Sequence, residues 1–165
     1  MSVRSRFARL ALLGTLLALS LVLAEREGLR AQTLDKKVLS LAAAHKISAA
    51  AKEAARARGV DVVVVVVDDA GIPLLLERMD GAQVASVNVG IGKARTAAIY
   101  RRPSRVFEEQ IRSGRVAALA LADATPLQGG VPVLLEGRVV GAIGVSGDTP
   151  QVDEDIAIAG SRAFD

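Results

Sequence analysis

Six consecutive valines, residues 62–67, are the strongest pattern in the chain. A run with no alternation predicts a central strand over residues 60–67, covered on both faces. Asp68-Asp69-Ala70-Gly71 has the composition of a turn. Residues 72–79 then read as the returning strand, with Pro73 near its start. Before the valines, residues 34–58 are Ala-rich and contain no Gly or Pro, and Gly59 follows as a stop. At about 100° per residue, Ser40, Ala44, Ile47, Ala51 and Ala54 share one side of that helix. Asp35, Lys46, Glu53 and Arg56 share the other.

After the first hairpin, residues 82–100 have a helical pattern that contains Gly90 and Gly92. Each costs a helix about 1 kcal/mol relative to Ala. Their presence implies a close approach to the backbone, or a helix that starts later. Pro103 opens a second, more polar helix to about Arg112. Residues 116–121 are apolar without a period that assigns them. Gly129-Gly130 mark a turn, and residues 131–135 and 138–145 form a hairpin around Glu136-Gly137. A last helix spans 151–164, with Asp153, Glu154 and Asp155 where the helix dipole favours acids. The order is helix, hairpin, two helices, hairpin, helix. It predicts an α/β sandwich in one domain, with a central antiparallel sheet of about five strands and helices on both sides.

Charge changes the picture only at the N-terminus. The chain of 165 residues carries a net charge of +3. Arg4, Arg6, Arg9, Arg26 and Arg30, against Glu25 and Glu27, account for all of it. The remainder is neutral and poor in aromatics, so neither bulk charge nor stacking argues for a nucleic acid. Arg4, Arg6 and Arg9 precede an uncharged run from Leu10 to Ala24. That run is shorter than the roughly 20 apolar residues of a spanning helix and fits the apolar region of an export signal. Residues 1–31 are read as a signal peptide cleaved after Ala31, or alternatively after Ala24. Residues 32–165 are then a periplasmic or secreted domain without stable membrane insertion. An uncleaved anchor would export the domain equally.

The chemical inventory is narrow. There is no Cys and one His, which removes thiolate chemistry and multi-histidine metal sites. Gly92-Lys93 is not a phosphate loop, because Val87 and Ala94 stand where that pattern needs Gly and Ser or Thr. Ser146 misses the nucleophile-elbow spacing by one residue. Asp68, Asp69 and Asp80 are explained by turns. His45 falls at the boundary of the buried face of the first helix. The window from Gly92 to Tyr100 is more informative. Gly92, Thr96 and Tyr100 are four apart and share one helix face, with Lys93 at its edge. Arg95, Arg101, Arg102 and Arg105 surround this face and offer bidentate partners to carboxylates. A solvated basic face with Thr96 packed inward competes with a site for a flat or acidic small molecule.

Four stretches, taken in order, resemble the GlcG/HbpS-like family of small haem-binding proteins, also called haem-degrading-domain proteins. They are Val66-Val67-Asp68-Asp69-Ala70-Gly71; Arg78-Met79-Asp80-Gly81-Ala82; Lys93-Ala94-Arg95-Thr96-Ala97-Ala98 with Arg102-Pro103-Ser104; and Gly129-Gly130-Val131-Pro132-Val133 with Gly137, residues 141–147, Asp153 and Ala159-Gly160. The resemblance covers about residues 34–164. It implies a homo-oligomeric α/β domain that binds haem, in roles of capture, breakdown or redox sensing. It makes Thr96 the first candidate iron ligand. His45, on the first helix, is the second, and Tyr100 completes the set. Gly92 would leave room for a planar ring, Arg95, Arg101 or Arg102 would hold its propionates by charge-assisted hydrogen bonds, and Lys93 is a further candidate at the same site. Two other readings stay open. One is an enzyme or accessory protein acting on a small carboxylate or hydroxy acid. The other is a structural or sensory module.

Overall fold

The computed structural model describes residues 34–164. The expected export segment, residues 1–31, lies outside the described residues. Among the described residues no helix is long and apolar enough to cross a membrane.

Helix α1 spans Leu41–Ala57. It starts later than its Ala-rich composition predicts because Ser40 caps it, accepting a hydrogen bond from the Ala43 amide. Leu39 is buried, and its N–H donates to the Val140 carbonyl. Gly59, with φ of 68°, follows the C-terminus. Strand β1 is Val63–Asp68 and β2 is Pro73–Arg78. The turn between them is built by Asp68, whose Oδ1 accepts from the amides of Ala70 and Ile72, both at 2.9 Å. Helix α2, Ser86–Ile99, also starts later than expected, because residues 82–85 are taken up in turns. Helix α3 is Arg105–Arg112. The apolar stretch that no period assigns is a 3-10 helix, Val116–Ala120. Strands β3, Gly130–Leu135, and β4, Arg138–Ser146, form the second hairpin, and helix α4 is Pro150–Arg162.

The strands form one antiparallel sheet in the order β2-β1-β4-β3. Four strands are present among the described residues, where about five were expected. The stretch at 116–120 supplies no further strand. Pro73 and Pro132 both lie on edge strands, where a missing N–H costs no central ladder bond. The valines of β1, with Val62 just before it, divide between two core clusters, as the strand's two-residue period requires. Val62, Val64 and Val66 pack with Ala44, Ile47 and Ala51 of α1 and with Ile156 and Ala157 of α4. Val63, Val65 and Val67 pack with Ala94, Ala97 and Ala98 of α2. Small residues on these helices let backbone approach backbone. Gly90 on α2 faces Val65, and its carbonyl lies against Gly144 of β4. The two glycines that weaken α2 as an isolated helix therefore have separate uses, Gly90 against the sheet and Gly92 against a loop.

Candidate functional site

Helix α2 carries most of the chemistry. Lys93 leaves it toward the interior. Its Nζ donates to Asp153 Oδ2 at 2.7 Å and to the Val145 carbonyl at 3.1 Å, and both side chains of the ion pair are almost wholly buried. Gly129 and Gly130 make this possible. A Cβ on Gly130 would overlap the Lys93 carbonyl, and one on Gly129 would lie 3.0 Å from Nζ. Asp153 also accepts from the Asp148 amide through Oδ1. Burial pushes the Asp153 carboxyl up from its ordinary value, while the hydrogen bond and charge of Lys93 pull it down. The ammonium placed by sequence at the edge of a ligand face thus serves to join α2, β4 and α4.

The next turn presents the stripe that the sequence singles out. Thr96 is buried. Its hydroxyl donates to the Gly92 carbonyl at 2.7 Å and accepts from the Thr125 amide at 2.7 Å. Tyr100 donates through its hydroxyl to the Ala122 carbonyl at 2.7 Å. Arg95 is paired with Asp123 at 3.3 Å through one terminal nitrogen. Its Nε is buried without a hydrogen-bond partner among the described residues. The space beside Gly92 holds Thr125, which a Cβ at Gly92 would overlap. Arg102 turns back, its Nε donating to the Tyr100 carbonyl and its guanidinium lying 5.8 Å from the centre of the Phe107 ring. Arg105 is engaged away from the stripe, with Glu109 and Glu154.

His45 is not brought to this stripe. It is exposed on α1, and α1 packs in the cluster of Val62, Val64 and Val66, whereas Thr96 belongs to the helix that packs with Val63, Val65 and Val67. Near it, Glu77 accepts hydrogen bonds from Lys52, at 2.7 Å, and from Ser48, and these hold its carboxyl below the usual range. A polar groove of about 410 Å³ opens beside this pair, between Lys52, Arg56, Asp61 and Arg78. Among the described residues no cluster of three His, Asp or Glu side chains could hold a metal ion.

Sequence reasoning quotes Ser104 and Asp153 within the family stretches, and gives no place at the site to them, to Thr125 or to Glu154. Ser104 accepts from the Gly130 amide at 2.8 Å and donates to the Leu127 carbonyl. Glu154 accepts from the Gln128 side-chain amide at 2.6 Å, and burial raises its carboxyl. In the sequence the acids of α4 look like helix-dipole partners, and only their burial distinguishes them from that.

A four-stranded antiparallel sheet with a lysine-pinned, glycine-notched helix defines a class of small α/β domains. Residues 39–162 match the family described as "Haem degrading protein HbpS-like", and the chain belongs to this HbpS-like family. It is 40% identical to protein GlcG of Escherichia coli K12 over 111 residues, 67% of this chain and 83% of that one. The crystal structure of a double mutant of Streptomyces reticuli HbpS superposes with a TM-score of 0.73 at 33% identity, covering 79% of this chain and 90% of that one. The structure of a PduOC:heme complex superposes with a TM-score of 0.69 at 27% identity, covering 76% and 94%.

Proposed function

We propose that the chain is an exported haem-binding protein and that haem is held against the stripe of α2 formed by Gly92, Arg95, Thr96 and Tyr100. The observation that carries this reading is the buried Nε–H of Arg95, which has no acceptor among the described residues and stands on the helix turn that also bears Thr96. Buried donors are ordinarily satisfied, and a ligand carboxylate such as a haem propionate supplies the missing acceptor. The donor set suits the group. Thr96 and Tyr100 offer oxygen donors one turn apart on the same helix, and the chain has no thiolate to compete. Arg95 would hold the acidic edge, with Arg102 beside it. Haem, when bound, would supply a redox-active iron, and Thr96 or Tyr100 would be the residue that holds it. The chain's own residues bind and orient it. His45 remains a separate candidate, because in one chain it cannot share a haem with Thr96.

Haemin titration tests the assignment. The unmodified protein is expected to bind with a largely high-spin ferric spectrum. Arg95→Ala and Thr96→Ala should each weaken binding about tenfold, the scale of losing one charge-assisted hydrogen bond or one weak ligand. His45→Ala should bind as the parent does. Circular dichroism checks that each variant folds, since Thr96→Ala leaves the Thr125 amide without its acceptor. If affinity and spectrum are unchanged in Arg95→Ala, Thr96→Ala and Tyr100→Phe, the α2 stripe is not the site. The same orphaned Nε–H supports a second reading, a small carboxylate or hydroxy acid in place of haem. A thermal-shift series with such acids separates the two.

The division of the valines between clusters supports helices on both faces of the sheet. Two open sheet edges and a domain without net charge favour association, so we also read the protein as a homo-oligomer. The basic and apolar N-terminus supports export to the periplasm or medium. Intact-mass and light-scattering measurements on material recovered outside the cytoplasm should show residues 1–31 removed and a particle of two or more chains. A full-length monomer would contradict both.

A further inference from the structure

Residues 121–128, between the 3-10 helix and β3, lie across the stripe of α2. Apart from the Leu121 amide, which donates to the Ala118 carbonyl, the contacts that their first half makes with the rest of the fold fall on residues assigned to the ligand. Tyr100 donates to the Ala122 carbonyl, Arg95 pairs with Asp123, the Thr125 amide donates to Thr96, and Thr125 fills the notch at Gly92. The second half is fixed elsewhere. Ser104 holds the Leu127 carbonyl, Glu108 accepts from the Gln128 amide at 2.6 Å, and Glu154 holds the Gln128 side chain. No residue of this segment belongs to either core cluster. Asp123 sits at φ of 56°, a left-handed conformation that Asp, after Gly and Asn, adopts more readily than most residues. The segment is thus anchored firmly at one end, and at the other by a few polar contacts and the packing of Thr125 at Gly92, as expected of a part that opens locally while the core stays intact.

We propose that residues 121–126 are a lid which closes the haem face of α2 upon itself, hinged at Leu127-Gln128. In the closed state the Thr96 hydroxyl donates to Gly92 and accepts from the Thr125 amide, the Tyr100 hydroxyl donates to Ala122, and one terminal nitrogen of Arg95 is paired with Asp123. Ligand access requires these contacts to be exchanged, and the same four residues that hold the lid then hold the ligand. The lid therefore competes with haem, so occupancy of the site is coupled to the position of this loop. The inference rests on the haem reading above.

Two measurements decide it. In the unmodified full chain, the Thr125 amide is protected from hydrogen exchange only while it donates to Thr96. Saturating haemin should raise its exchange at least about tenfold, with the amides of the α2 core unchanged. Second, Asp123 belongs to the loop and not to the ligand face, and its ion pair with Arg95 at 3.3 Å is one of the contacts that holds the loop down. Asp123→Asn removes that pair and keeps a residue that tolerates the left-handed backbone. If the loop competes with haemin, this variant should bind haemin about two- to fivefold more tightly, the scale of one partly exposed ion pair. A Soret change in the unmodified chain with the Thr125 amide still protected overturns the lid and leaves the haem reading standing. Haemin affinity unchanged or weakened in Asp123→Asn does the same. Absence of any Soret change in the unmodified chain overturns the haem reading, and the lid falls with it. If Asp123→Asn fails to fold, amide exchange in the unmodified chain alone upholds or overturns the lid.

Discussion

Lys93→Met should lower stability by about 3–5 kcal/mol, the cost of leaving one partner of a buried ion pair alone. In thermal unfolding that is a fall in Tm of more than roughly 10 °C for a domain of this size. The magnitude follows from the surroundings. Asp153 is all but inaccessible to water, and besides Lys93 its carboxylate accepts from the Asp148 amide alone among the described residues. The Val145 carbonyl loses its Lys93 donor as well. Lys93→Met/Asp153→Leu should recover much of the loss, because it removes both charges and keeps similar volume. A double variant no more stable than Lys93→Met would show that the two groups are not coupled.

The pH dependence of Lys93→Met carries a definite sign. Burial already raises the folded-state carboxyl of Asp153 above its ordinary value, and Lys93 opposes that rise. Without Lys93 the folded-state value rises further. A carboxyl that binds its proton more tightly in the folded state favours folding while protonated, and that advantage is lost as pH rises through the folded-state value. The variant should therefore come closest to the parent in acid and fall away from it toward neutral pH. Denaturant midpoints measured across that range check this, and a gap that widens on acidification would contradict it.

Much of this arrangement is legible in the amino-acid sequence, and the rest is hidden for definite reasons. The valine run could only be a covered strand, since six β-branched residues without a polar position leave no face for water. The Asp68 turn and the Glu136-Gly137 turn follow from local chemistry. Composition alone starts α1 and α2 too early, because an Ala-rich or mixed stretch permits a helix that Ser40 and the turns at 82–85 in fact limit. Gly92 and Thr96 lie on α2 and Tyr100 caps it, at the spacing the sequence predicts. What covers them is not visible there, because Asp123 and Thr125 come from a loop without periodicity, and Thr125 is 29 residues beyond Thr96. Lys93 and Asp153 are separated by 60 residues. Each has an ordinary local explanation, a helix-edge cation and a helix-dipole acid, and only the tertiary fold removes water from both.

Gly144→Ala should lower stability by about 3 kcal/mol, the upper end of what overpacking costs. Its Cβ would lie 2.5 Å from the Ala94 amide nitrogen and 2.8 Å from Ala94 Cβ, and would overlap the Gly90 carbonyl. Two of those three obstacles are backbone, which cannot turn aside as a side chain can. Helix α2 would have to lift from β4, opening the cluster that Val63, Val65 and Val67 share with Ala94, Ala97 and Ala98. Gly137→Ala is the control. That glycine has a φ of 75° but nothing within 4 Å of an added Cβ, so only the backbone preference of about 1–2 kcal/mol opposes the change. Chemical denaturation of both variants, at unchanged m-value, separates close approach from turn strain as the reason for a glycine. Because α2 also carries Arg95 and Thr96, Gly144→Ala should weaken haemin binding while Gly137→Ala leaves it intact. Equal stability and equal binding in the two variants would mean that the contact between α2 and β4 at Gly144 sets neither the fold nor the site.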